Sequence, residues 1–160
     1  MKHVAAAIIC LAVCTAVAGC KKEDPDRIVR VYSIVGEVMI AANAAERPAV
    51  VGDVLSAGDG MRTGDNSMAD ILFGTAGIIR IQPGTSVSIA LLMDQTTGDS
   101  QIDMPAGKMN VTLAKLKKGA FRGKTGTAVA AVRGTTFRIT ADGKATRLDV
   151  VTGAVRINPV

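Results

Sequence analysis

Three Gly-Asp pairs stand six residues apart in this chain: Gly52-Asp53, Gly58-Asp59 and Gly64-Asp65. Regularly spaced carboxylates have three chemical uses. They can be hard oxygen ligands for calcium, a general acid paired with a base, or acceptors that close turns in which glycine supplies positive φ. The spacing argues against calcium, because EF-hand ligands alternate and the calcium β-roll repeat is nine residues long and richer in glycine. It argues against catalysis too. An acid–base pair needs one carboxyl with its pKa raised by burial, whereas carboxylates beside turn glycines are solvated. A period of six fits a strand of about four residues and a two-residue corner, so the pairs are read as turns.

The remaining reactive side chains lie mostly at the N-terminus. Lys2 and His3 precede an apolar run over 4–16, and Val17-Ala18-Gly19-Cys20 closes it. That order of parts is an export signal, too short for a comfortable membrane span of about 20 residues. The tetrapeptide resembles the lipobox of bacterial lipoproteins. Residues 1–19 are therefore expected to be a cleaved signal peptide, with Cys20 the acylated first residue of the mature chain. Two or three acyl chains at about 0.8 kcal/mol per buried CH₂ hold a protein on a bilayer. Cleavage leaves 141 residues, enough for one domain, and removes Cys10, Cys14 and His3. Without histidine or a free thiol, Ser-His-Asp and Cys-His chemistry and the usual zinc, copper and haem ligands are lost. No catalytic residue, metal or cofactor is expected.

Charge is unevenly distributed. Residues 108–156 carry 11 Lys plus Arg against Asp142 and Asp149, a net of +9, while 21–107 carry 7 against 12, a net of −5. The basic half includes Lys115, Lys117, Lys118, Arg122 and Lys124, expected as partner-binding residues for an envelope protein or an anionic envelope polymer. Nucleic acid is a poor fit, because three Phe and one Tyr supply few stacking surfaces. Arg133-Gly134-Thr135 has two readings: an anion ligand, or a close backbone approach at Gly134 with Arg133 paired to an Asp.

The elements that must position these groups are strands. After a polar tether over 20–27, apolar residues recur every second position in 28–35, 68–73, 78–82, 85–91 and 108–113, with 136–140 and 146–151 flanking a hairpin signal at Asp142-Gly143. Segment 111–118 is ambiguous between helix and strand. A pattern Gly-x-(Val/Met)-x-(Ile/Val) recurs at 36–40, 107–111 and 153–157, each reading as a turn leading into a strand. The expectation is an all-β domain over 28–160, a sandwich or short solenoid of many short strands.

GEVMI from 36, VGDVLSAGDGMRTGDNSMADILF from 51, IIRIQPGTSVSI from 78, AVAAVRGTTFRIT from 128 and LDVVTGAVRI from 148 together resemble the FecR domain, from about Ile34 to Ile157. The Val-Arg-Gly-Thr-x-Phe core at 132–137 and the closing Val-x-x-Gly-x-Val at 150–155 are fairly specific together. The resemblance implies an extracytoplasmic β-domain. With the lipobox and the basic segment, the expected function is a non-catalytic binding or scaffolding module of the cell envelope, held by Cys20 and facing the periplasm or at the outer membrane; the alternative that the resemblance implies is a periplasmic ligand sensor related to ferric-citrate control of a sigma factor.

Overall fold

The computed structural model describes residues 28–160. The expected signal peptide, the expected lipidation site Cys20 and the expected tether fall outside the described residues. Alternation of apolar and polar side chains yields strands throughout: β1 (Val29–Val35), β2 (Val38–Ala42), β3 (Ala45–Pro48), β4 (Val54–Leu55), β5 (Gly60–Thr63), β6 (Met68–Phe73), β7 (Gly77–Ile81), β8 (Ser86–Leu91), β9 (Ser100–Asp103), β10 (Gly107–Leu113), β11 (Phe121–Lys124), β12 (Ala128–Val132), β13 (Thr136–Ala141), β14 (Thr146–Thr152) and β15 (Arg156–Pro159). Segment 111–118 is thus strand as far as Leu113 and irregular beyond it.

The strands form two sheets. One has the order β14-β13-β10-β7-β6-β1-β4, here the first sheet, and the other β15-β12-β11-β9-β8-β5-β2-β3. Neighbours are antiparallel except β9 and β11, which run parallel. Apart from β4 outside β1 and β3 outside β2 at one end, both orders follow the sequence, so the chain winds back and forth between the sheets as the sandwich lengthens. This joins the two expected architectures: two packed sheets, built in layers like a solenoid.

The alternation puts Val29, Val31, Ile71, Ile79, Ile81, Met109 and Val111 of the first sheet against Ile40, Met61, Ile89, Ile102 and Phe121 of the second, all fully buried. Phe73 and Phe121 meet edge to face across the interior, centroids 5.4 Å apart. Such pairs add about 0.5–1.5 kcal/mol to their burial.

The Gly-Asp corners are where the chain changes sheet. Gly52-Asp53 delivers it from β3 to β4, Gly58-Asp59 from β4 to β5, and Gly64-Asp65 from β5 to β6. Gly52 (φ +100°) and Gly58 (φ +98°) take the left-handed conformation that L-residues avoid. Asp53 accepts from Val50 N–H at 2.7 Å and Asp59 from Ser56 N–H at 2.8 Å, closing both turns. The third corner departs from the pattern, since its positive φ (57°) falls on Asn66. Asparagine tolerates that region better than other side chains. No group of acidic residues among those described is arranged to hold a metal ion. The hairpin at 141–146 also shifts by one residue. Asp142 N–H bonds Ala145 C=O at 3.3 Å, and Gly143-Lys144 is the central pair. The Asp142 carboxylate caps this turn from the N–H groups of Lys144 and Ala145 at 2.8 and 2.7 Å.

Candidate functional site

The basic stretch after β10 departs from ladder geometry because two neighbours capture its backbone. Leu116 N–H donates to Arg133 C=O at 3.1 Å, and the Arg133 guanidinium donates back to Leu116 C=O at 3.3 Å and Lys117 C=O at 3.2 Å. Arg133 therefore pairs with carbonyls of the basic loop, correcting the expectation of an Asp partner; the loop lies against it with acceptors that its own strand does not use. Gly134 is the close approach. A Cβ there would stand 2.6 Å from Lys115 Cα and 2.9 Å from Lys115 N, at φ +132°. The residue type at 134 is set by the backbone of the lysine loop.

The far end of the loop is fastened by Asp99. One carboxylate oxygen accepts from Ala120 N–H at 2.9 Å and the other from Arg122 Nη2 at 2.7 Å. Asp94 organises the facing 92–99 turn by accepting from Thr96 N–H, Thr97 N–H and the Thr97 hydroxyl at 2.8–3.1 Å. Those bonds, those from the Thr97 and Thr96 backbone first, hold its carboxyl below the usual carboxylate range, with a smaller contribution from the Lys118 charge.

Between these fastenings lies a cavity of about 220 Å³, whose lining includes Phe73, Ala76, Met93, Leu116, Lys115 and Lys118, with Lys117 also at its margin. Its floor is apolar, because Phe73 and Leu116 are core residues, while Lys115, Lys117 and Lys118 are exposed at the rim. At this size it suits one apolar side chain or the end of an alkyl group, being smaller than the roughly 300–1,000 Å³ of small-molecule sites. Wider depressions on the outer face of the first sheet, such as that between Ile78, Arg80 and Asn110, are more open.

Of the five expected partner-binding residues, the structure brings three together and sets two apart. Lys115, Lys117 and Lys118 share the cavity. Arg122 is on β11 and committed to Asp99. Lys124, at the end of β11, lines a separate depression with Asp103, Pro105 and Val160. Sequence reasoning missed Phe73, Ala76 and Met93, whose approach to the lysines depends on pairing between distant strands. It also missed the Arg133 contacts, because carbonyl acceptors leave no trace in side-chain types.

Among protein families, the model described as "FecR protein" matches residues 59–156. That span includes the 92–99 turn, the lysine loop and Arg133-Gly134. No curated protein and no solved structure gives a significant match.

Proposed function

The chain belongs to the FecR family, and on that premise we propose that it is a non-catalytic binding module of the cell envelope, tethered to a membrane through acylated Cys20. Its binding site is the apolar cavity rimmed by Lys115, Lys117 and Lys118. The observation that carries this reading is the preorganised cation cluster over an apolar floor. The loop backbone is held by Arg133 at one end and Asp99 at the other, so little ordering remains to be done on binding. The matching partner chemistry is an acidic envelope protein segment that also presents an apolar side chain. Asp53, Asp59, Asp94 and Asp142 close turns, and Asp70, Asp99 and Asp149 are in ion pairs, which supports a role without turnover.

Capture of envelope partners by the full-length protein tests this. Binding is expected to fall sharply between 0.1 M and 1 M salt, as the screening length drops from about 10 to about 3 Å. It is expected to be lost in the triple variant Lys115→Glu, Lys117→Glu, Lys118→Glu and retained in Lys124→Glu. Equal capture by the triple variant and the wild type would refute it. Stabilisation by ferric citrate that survives the triple substitution would favour the ligand-sensor reading.

A further inference from the structure

The two ends of the sandwich are finished differently. At the β3–β4 end, β4 is two residues long and β3 carries Glu46, Arg47 and Pro48, all exposed. Arg47 lies opposite the buried Ile40 in the ladder and is gripped by both Asp53 oxygens at 2.8 and 2.9 Å. Short strands, proline and charge on the inner side are the means by which proteins protect sheet edges.

At the other end β15 is likewise short and carries Arg156 and Pro159, but its neighbour in the first sheet, β14, has little of this protection. β14 is a seven-residue strand paired on one side alone, to β13. Leu148 and Val150 lie opposite the core residues Ile139 and Phe137, and Ile157 lies opposite the core residue Ala130, so all three face the interior of the sandwich. Yet Val150 is 46% and Ile157 54% exposed. Residues that alternation turns inward are in contact with water, so the core is unclosed at this end.

What would cover it follows from hydrogen-bond phase and charge. The Asp142–Ala145 hydrogen bond sets the ladder so that Arg147 and Asp149 spend their backbone groups on β13. Thr146, Leu148 and Val150 then direct N–H and C=O to the free edge. Two β14 strands related by a two-fold axis through Leu148 would pair through these groups, Leu148 against Leu148 and Thr146 against Val150. In that register Arg147 of each copy meets Asp149 of the other. Shifting the axis to Arg147 or to Asp149 instead sets like charges face to face, which is destabilising. A polar row, Asp70, Arg80, Asn110, Arg138 and Asp149, already crosses the outer face of the first sheet at one residue per strand. Arg147 of a second copy continues it. The same axis turns the Val150 and Ile157 side chains of both copies towards a shared interior.

We propose that the β14–β15 end is a homodimer interface, formed by antiparallel pairing of two β14 strands about Leu148. The test is site-specific disulfide trapping in the full-length protein in detergent micelles, with light scattering for mass. In the paired register, residue 148 of one copy lies about 5.5 Å from its counterpart between Cα atoms, within the roughly 4.4–6.8 Å that a disulfide spans. Leu148→Cys is expected to give covalent dimer at least about tenfold faster than Val151→Cys, whose counterparts stand several residues apart along the strands. Arg147→Asp should slow trapping at 148 by about tenfold, and Arg147→Asp with Asp149→Arg should restore it. Equal trapping at 148 and 151, or a monomer mass at about 100 μM, where a micromolar Kd gives mostly dimer, would overturn the proposal. Because Lys115, Lys117 and Lys118 lie outside this edge, the outcome is independent of partner capture.

Discussion

Gly134→Ala separates two contributions that most glycine substitutions confound. The left-handed conformation alone costs an L-residue about 1–2 kcal/mol. At Gly134 the new Cβ also meets Lys115 Cα at 2.6 Å and Lys115 N at 2.9 Å, both backbone atoms of the lysine loop. Moving packed backbone adds on the order of 1–3 kcal/mol, for a total of about 3 kcal/mol. With an unfolding entropy of about 2.1 cal/mol/K per residue over the roughly 130 described residues, that corresponds to a Tm lowered by about 10 °C. Gly143 is the internal control, having φ +85° and no atom within 4 Å of its would-be Cβ. Gly143→Ala should therefore show the conformational cost alone, about 1 kcal/mol and about 4 °C. Scanning calorimetry of both variants measures the difference, and partner capture by the refolded Gly134→Ala protein should drop as the loop is pushed outward. Equal Tm losses in the two variants would refute the claim that the lysine loop is seated on Gly134.

Two further outcomes follow. The Asp53 carboxyl is held below the usual carboxylate range by the Arg47 fork first and Val50 N–H second. Its contribution to stability is present above the ordinary pKa of about 3.9 and is lost as pH falls through the depressed folded value. Asp53→Asn should accordingly flatten, without abolishing, the acid limb of a Tm-against-pH curve, since Asp94 and Asp142 are shifted in the same direction; an unchanged acid limb would discount the fork. Cys20→Ser, checked by membrane fractionation, should move the protein from the membrane to the soluble fraction, and continued sedimentation with membranes would rule out the anchor.

Strands whose apolar residues alternate cleanly were legible in the sequence. Val87 and Ile89 in β8, and Met109, Val111 and Leu113 in β10, are buried at every second position as the pattern requires. The three Gly-led segments likewise lead into β2, β10 and β15. Strands lacking that signature were not legible. β3 (AERP) has no buried side chain, β4 has two residues, and β9 and β11 keep only alternate small or apolar groups between polar ones. These exist because a neighbouring strand supplies their hydrogen bonds, a tertiary cause that local composition does not record. For the site, the lysine cluster was visible as a charge run, whereas its apolar floor depends on β6 and β10 lying on either side of β7.

The layered winding has a mechanical consequence. Residue 28 enters beside β1, near one end of the first sheet, and β14 lies five strand positions away at the other, about 24 Å at roughly 4.8 Å per strand. A load applied between the tether and the C-terminal strand runs across the strands, so ladder hydrogen bonds bear it one after another, as in a zipper, and not all together as in shear. Pulled between residue 28 and the C-terminal strand, the molecule should yield in small steps at low force, paying out length from the β15 end while the Phe73–Phe121 contact persists.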